Sequence, residues 1–353
     1  MDKKTLILSG NDVNQILETY GLNRLMDTLI ERTTNSIKSY NPQKTEIPIR
    51  SGFNYEINDP GLVEWMPVHK KGNEVVIKVV GYHPRNPQKF DLPTILSSIS
   101  SYDTTTGHLK GLVDGVLLTA LRTGAASAVA SKFLAKEDSS TLGLIGCGAQ
   151  SVTQLHALSR LFDIKKVMLF DVDNNAMKSF SNRIAMLQLD IEIVFSSIED
   201  ILSKSDIVCT ETSIDVGTGP LFNNLNTNNH IHINAIGSDF PGKVELPLNL
   251  LQQSLVCPDF LEQAKIEGEC QQLKDSEIGP DLSRLVKNAE TYAYAKNQKT
   301  VFDSTGWALE DQIVMDLFLD LAKEFEIGSE IAIENISEDA KNPYNFMLKT
   351  VTV

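Results

Sequence analysis

The segment from Thr141 to Ser151, TLGLIGCGAQS, constrains this chain more than any other stretch of it. An apolar strand-like run leads directly into Gly146 and Gly148, and AQSVTQLHALSRLF continues at helical spacing. A strand that turns at once into a helix needs glycine at the tight turn, and a second glycine lets the backbone approach a bound group. The spacing is GxGxxG with Ser151 in the third position. The N–H groups opening such a helix face an anion, so the loop reads as a pyrophosphate cradle. Asp171 ends the next run, KKVMLFD, where a carboxylate accepts from a ribose diol and repels a 2′-phosphate, which favours NAD over NADP.

Beyond that run, apolar stretches alternate with amphipathic ones: NAMKSFSNRIAMLQ, IEIVF, SIEDILSK, DIVCT, HIHINAIG and QSLVCPD. Strand and helix in this order predict a parallel sheet with helical crossovers, a Rossmann-type domain over residues 123–312. The first half differs. Ser9 and Asp12 form a capping box before a helix with Val13, Ile16, Leu17 and Tyr20 on one face. Residues 45 to 110 then break into β-branched runs between Gly, Pro and Asn, which predicts an antiparallel sheet. The Ala- and Leu-rich stretch from Asp114 to Leu134 predicts a long helix bridging the halves. TGWALEDQIVMDLFLDLAKEF has helical periodicity and is expected to fold back, so residues 1–122 with 313–353 make the second, α/β domain. A chain of 353 residues exceeds what one core usually covers, which agrees with two domains.

A net charge of −14 repels phosphate backbones and anionic lipids, and neither nucleic acid nor a membrane surface is an expected partner. The acidic balance otherwise reads as a solvated surface. The N-terminus lacks the apolar stretch of a signal peptide and no run is long enough to span a bilayer, so a cytoplasmic location is expected. Cys147, Cys209, Cys257 and Cys270 lie far apart and read as buried thiols. His230 and His232 alternate along a strand without a third ligand, His83 and His156 read as structural, and no metal is expected.

Four charged residues stand out. Lys78 interrupts VVIKVV, where a cation buried on both faces must find a partner; Arg50 is either a surface cation or a carboxylate partner. Glu64 breaks LVEWMP, although a solvent-facing strand side explains it equally well. Asp239 follows HIHINAIG, at the carboxyl end of a parallel strand, the edge where open α/β sheets place ligands.

The blocks KVVGYHPRNP, LLTALRTGAAS, LIGCGAQS, AIGSDFPGKVEL, KIEGECQQL and VFDSTGWALED resemble, in order, those of the ornithine cyclodeaminase/mu-crystallin family, from about Arg50 to Asp311. GSDFPGK is similar to the form in the ornithine cyclodeaminase branch, where an aspartate before Cys-Pro-Gly-Lys is the acid/base. The resemblance implies that Asp239 transfers protons, that Glu64 lies beside the reacting amine, and that Arg50, Lys78 and Arg122 hold the substrate carboxylate, with Thr305 facing the substrate. It implies cofactor contacts from Thr94, Arg122, Gly146, Gly148, Ala149, Gln150, Asp171, Thr212, Asn234, Ala235, Ile236, Gly237, Lys243 and Ser304. It also implies an N-terminal domain whose antiparallel sheet pairs in a homodimer. Phe240, Trp65 and Trp307 replace residues usual in the family, and their bulk is expected to bear on the size of the pocket.

The chemistry implied is redox-neutral: a diamino acid is oxidised at Cα, cyclises with loss of ammonia, and is reduced again, giving proline from ornithine or pipecolate from lysine. One rival is a net amino-acid dehydrogenase or cyclic ketimine reductase, marked by stoichiometric change in NADH. Another is a dinucleotide- or hormone-binding protein without turnover, which has no need of Asp239 as proton donor.

Overall fold

The computed structural model describes residues 3–55, 61–223, 226–345 and 347, so the extreme ends of the expected first domain lie outside the described residues. The chain opens with β1 (Thr5–Leu8), α1 (Gly10–Tyr20), α2 (Leu22–Ser39), β2 (Thr45–Glu46), β3 (Ser51–Tyr55), β4 (Gly61–Lys70), β5 (Glu74–Tyr82), α3 (Asn86–Phe90), β6 (Ile95–Asp103) and β7 (Leu109–Asp114). Ser9 caps α1 as expected: its backbone N–H donates to the Asp12 carboxylate at 2.7 Å, and the Asp12 N–H donates to the Ser9 hydroxyl at 3.4 Å. The strands form a sheet in the order β15-β1-β7-β6-β5-β4-β2, with β3 also on β4. Every neighbouring pair is antiparallel except β1 and β7. Here β15 (Ser329–Ile331) lies in the tail, where the sequence carries little signal; three backbone pairings to β1 hold it.

Alternation along this sheet separates two faces. Met66, Val68, Val76, Val80, Ile99 and Val113 are buried against α1, α2, α4 (Val116–Leu134) and α11 (Ala308–Phe325). Val63, Trp65 and Pro67 of β4 alternate to the other face with Val75, Ile77 and Val79 of β5. That face is apolar yet only partly covered, Val79 and Leu96 each being 40% exposed.

The second sheet is built from β8 (Thr141–Ile145), α5 (Ala149–Ser159), β9 (Lys166–Phe170), α6 (Asn174–Arg183), β10 (Glu192–Phe195), α7 (Ile198–Lys204), β11 (Ile207–Thr210), β12 (His232–Ala235), α8 (Leu248–Leu251), β13 (Leu255–Pro258), α9 (Leu261–Ala264), α10 (Leu282–Lys287) and β14 (Thr300–Asp303). Its strands are all parallel in the order β10-β9-β8-β11-β12-β14-β13. The order reverses at β8, so the carboxyl ends of β8 and β11 open a crevice for a ligand. This is the expected Rossmann-type sheet. Strand β14 was not among the runs read as strands, and it inserts between β12 and β13, a placement that chain order alone does not reveal.

Helix α4 joins the halves. Its alanines have the highest helix propensity and leave little bulk, so other elements pack on nearly every face. The expected domain boundaries at 122 and 313 fall inside α4 and α11, two helices that pack on each other. At Gly124 a Cβ would lie 2.5 Å from the Thr153 carbonyl oxygen of α5, which sets how closely these helices approach. Gly124→Ala should therefore wedge α4 from α5 and cost about 1–3 kcal/mol. Chemical denaturation checks this, and a stability unchanged within error would contradict it.

Candidate active site

The glycine loop leaves β8 with Gly146 at φ +104°, where a Cβ would stand 2.8 Å from the Glu211 carbonyl oxygen. At Gly148 the space a Cβ would enter is open to 4 Å, above the first turn of α5. Ser151, in place of a third glycine, donates its hydroxyl to the Gly148 carbonyl at 2.6 Å and is fully buried. Asp171 faces the loop and is fixed by two backbone donors, the Cys147 N–H at 2.6 Å and the Asp173 N–H at 2.8 Å. Arg183, which the sequence did not single out, donates to the carbonyls of Cys147 (2.7 Å), Gly148 (3.1 Å) and Ala176 (2.7 Å). An open cradle, free helix N–H groups and a positioned carboxylate fit a dinucleotide.

A cavity of about 380 Å³ lies beside this loop, between the two sheets. The buried face of the antiparallel sheet supplies Glu64, Lys78 and Tyr82; α4 supplies Arg122; the loops after β12 and β14 supply Asp239, Lys243, Ser304 and Thr305. Lys78 is 1% exposed and donates to Asp311 at 2.9 Å. Arg122 donates to Glu310 at 3.1 Å and its Nε lies 3.1 Å from Asp311. Burial first and then repulsion by Arg122 pull the Lys78 ammonium down to about 8, against the pull of Asp311. Burial raises the Glu310 carboxyl, with Arg122 opposing and Asp259 and Asp311 adding to the rise. Two cations thus face the cavity over acids that only partly balance them.

Arg50 lies in the link between β2 and β3, where Gln263 accepts from its backbone N–H at 3.0 Å. Its guanidinium donates to Glu64 at 3.1 Å and to the Thr305 carbonyl at 2.7 Å, and pairs with Glu267. Glu64 is therefore held at the cavity wall and does not face solvent. Asp239 follows β12 and lines the cavity, its side chain about a third exposed, and Lys243 donates to its Oδ1 at 3.0 Å. Burial would lower the Lys243 ammonium, but Asp239 and then Tyr82 and Glu245 keep it charged above the ordinary lysine range.

Of the other residues expected at a cofactor, Gln150, Ile236 and Ser304 line the cavity, and the buried Ser304 hydroxyl has no hydrogen-bond partner among the described residues. Ala149 opens α5, and Thr94 precedes β6, its carbonyl accepting from the His83 N–H at 2.8 Å. Asn234 and Ala235 sit inside the sheet, and the Asn234 amide donates to Ser131 at 3.1 Å, so only their backbone is near the edge. Thr212 gives both its N–H and its hydroxyl to Glu245, at 2.7 and 2.5 Å. The Gly237 N–H donates to the other Glu245 oxygen at 3.1 Å. Thr305 donates its hydroxyl to Asp259 at 3.0 Å.

One expectation needs correction. Of the bulky replacements, Phe240 alone lines the cavity: Trp65 points to the outer sheet face, edge-on to Phe53 at 5.7 Å, and Trp307 is core, stacked on Phe260 at 6.1 Å. A small part of the acidic complement is buried: Glu245, Asp259, Glu269, Asp303, Glu310 and Asp311 are each at most 1% exposed. Glu211 was missed: both carboxyl oxygens are inaccessible and without a hydrogen-bond partner among the described residues, and burial, Glu245 and Asp171 raise it well above the usual carboxylate range. A lone Glu after a strand carries no sequence signal that would have found it.

A sequence model of the ornithine cyclodeaminase/mu-crystallin family matches residues 10–325. The chain is 39% identical over 343 residues to the L-lysine cyclodeaminase of Streptomyces rapamycinicus, spanning 97% of this chain and 99% of that protein. It superposes with a TM-score of 0.93 and 43% identity on a lysine cyclodeaminase whose structure was described for recognition of L-lysine, L-ornithine and L-2,4-diaminobutyric acid, covering 97% of this chain and 99% of the other. An archaeal alanine dehydrogenase dimer with bound NAD superposes with a TM-score of 0.83 and 30% identity, over 94% of this chain and all of that one (100%).

The cation pair makes a pH test possible. As pH rises through about 8, Lys78 becomes neutral, and the raised Glu310 turns anionic; both changes oppose an anion in the cavity. Affinity for an α-keto acid, which has no amine to titrate, should fall above that point, by at most about tenfold per pH unit for each of the two protons lost. Glu310→Gln should leave the Lys78 part of the fall in a calorimetric titration. An affinity flat with pH would contradict a role for these cations.

Proposed function

This chain belongs to the ornithine cyclodeaminase/mu-crystallin family, and we propose that it is an NAD-dependent cyclodeaminase of a diamino acid, converting L-lysine to L-pipecolate or L-ornithine to L-proline with release of ammonia. The observation that carries this reading is Asp239 on the cavity wall, with one carboxylate oxygen held by Lys243. Similarity to lysine cyclodeaminases over nearly the whole chain supports the same reaction and favours lysine. NAD would be held by the Gly146–Gly148 loop, Asp171, Thr212 and Lys243, with Ser304 offering its free hydroxyl. Bound there, it supplies a hydride acceptor that becomes a hydride donor once reduced, so no net redox change results.

The chain's own residues supply the rest. Lys78 and Arg122, with Arg50, take the substrate carboxylate and fix Cα, which contributes by orientation. Arg50 holds Glu64 beside the α-amine. Loss of hydride from Cα requires a neutral amine, and Asp239 accepts that proton. The ω-amine then attacks the substrate iminium carbon, Asp239 returns a proton to the departing ammonia, and the cyclic imine is reduced at the same carbon. Enclosure between two sheets limits water, which would otherwise hydrolyse the iminium.

A homodimer belongs to this proposal. The apolar outer face with Trp65, Val75, Ile77 and Val79 suits a second copy of the chain, and the archaeal alanine dehydrogenase on which it superposes is a dimer. A cytoplasmic location is likewise part of it; among the described residues no helix is long and apolar enough to cross a membrane.

With NAD at catalytic concentration, ammonia and a cyclic imino acid should form far beyond the NAD present, with no lasting NADH absorbance. Asp239→Asn should lower turnover by about two to four orders of magnitude while NAD affinity stays close to that of the unaltered protein. NADH accumulating with a keto acid would move the chain to the dehydrogenase reading, and full activity in Asp239→Asn would sink the assignment of the proton acceptor.

A further inference from the structure

Three carboxylates behind the site are linked in series through backbone N–H groups. Asp303, at the end of β14, accepts from the N–H of Glu269 at 2.9 Å and of Cys270 at 2.8 Å. Glu269 accepts in turn from the N–H of Glu245 at 2.8 Å and of Leu246 at 3.2 Å, both on one oxygen, while Gln272 donates to the other at 2.7 Å. Glu245 then accepts from Thr212 on one oxygen and from Gly237 on the other. Each acid thus grips the segment that carries the next. All three are fully buried, where an unmet backbone N–H costs as much as a lost hydrogen bond.

The ends of this chain are informative. One end is Asp303, adjoining Ser304 and Thr305 on the cavity wall; the other is the pair of loops after β11 and β12 that carry Thr212 and Gly237. Neither Glu245, Glu269 nor Asp303 lines the cavity. They reach toward a ligand through the backbone they hold and, at Glu245, through the Thr212 hydroxyl.

We propose that Glu245, Glu269 and Asp303 act together as positioning residues that couple the cofactor loops after β11 and β12 to the substrate wall at Ser304 and Thr305. The inference rests on the reading that NAD occupies the crevice. Ordering of Thr212 and Gly237 by the dinucleotide then tightens Glu245, which tightens Glu269 and Asp303 in succession, so that cofactor binding prepares the far wall.

Hydrogen exchange of the unaltered protein, with and without NAD, tests this. NAD should slow exchange at the Thr212 and Gly237 amides and, in step with them, at Glu245, Leu246, Glu269 and Cys270. Glu269→Met, which removes both acceptors of the middle link, should weaken NAD binding about tenfold, the scale of a lost hydrogen bond that leaves buried N–H groups unmet. Glu269→Gln keeps an oxygen toward Glu245 and Leu246 and should bind NAD within about twofold of the unaltered protein. Protection that stops at Thr212 and Gly237, or unaltered NAD affinity in Glu269→Met, would overturn the coupling. If Glu269→Met does not fold, the exchange pattern decides alone. Absence of any NAD binding by the unaltered protein would instead overturn the cofactor reading, and the coupling with it.

Discussion

Asp311 stands between two buried cations, 2.9 Å from Lys78 and 3.1 Å from Arg122, and the junction of the two sheets is organised around it. Lys78 comes from β5, Arg122 from α4 and Asp311 from the first turn of α11, three elements far apart in sequence. An ion buried without a partner costs several kcal/mol, so none of these groups can occupy the seam alone. The first turn of α11 is also where a helix favours carboxylates, which places both Glu310 and Asp311 where the cations need them. Lys78 and Arg122 line the cavity that opens at this seam.

The Rossmann edge is organised on related lines. Its loops run over buried carboxylates that accept backbone N–H groups: Asp171 under the glycine loop, Glu245 under the loops after β11 and β12, Asp259 under Gly306. Such bonds satisfy backbone N–H groups that would otherwise go unmet and fix the geometry of the loops. The acids that give the chain its negative charge are therefore in part its scaffold, and the cations that oppose them, Arg50, Lys78, Arg122 and Lys243, are gathered where a carboxylate substrate would need them.

Periodicity carried the fold to the reader because it records burial directly: the alternation of β4 to β6, the glycine turn at Gly146 and the capping box at Ser9 are each written in adjacent residues. Lys78 was legible for the same reason, since it breaks an apolar run. Strand β14 escaped because VFDSTG is short and its neighbours in the sheet are distant in sequence. Glu245, Glu269, Asp303 and Asp311 escaped because an isolated carboxylate reads as a surface charge until its backbone donors are placed around it. The bulk of Trp65 and Trp307 misled about the pocket, as a side chain's size does not tell which sheet face it takes.

In the proposed reaction one carbon gives up hydride and receives it back inside this cavity, with Asp239 managing the protons. L-Lysine carrying deuterium at Cα, turned over with NAD at catalytic concentration, tests it most directly by mass spectrometry of the product. Return of the hydride to the same carbon leaves the deuterium of the cyclic imino acid on the carbon bearing the carboxylate. Deuterium lost to water, or passed into NADH as a keto acid accumulates, would contradict it.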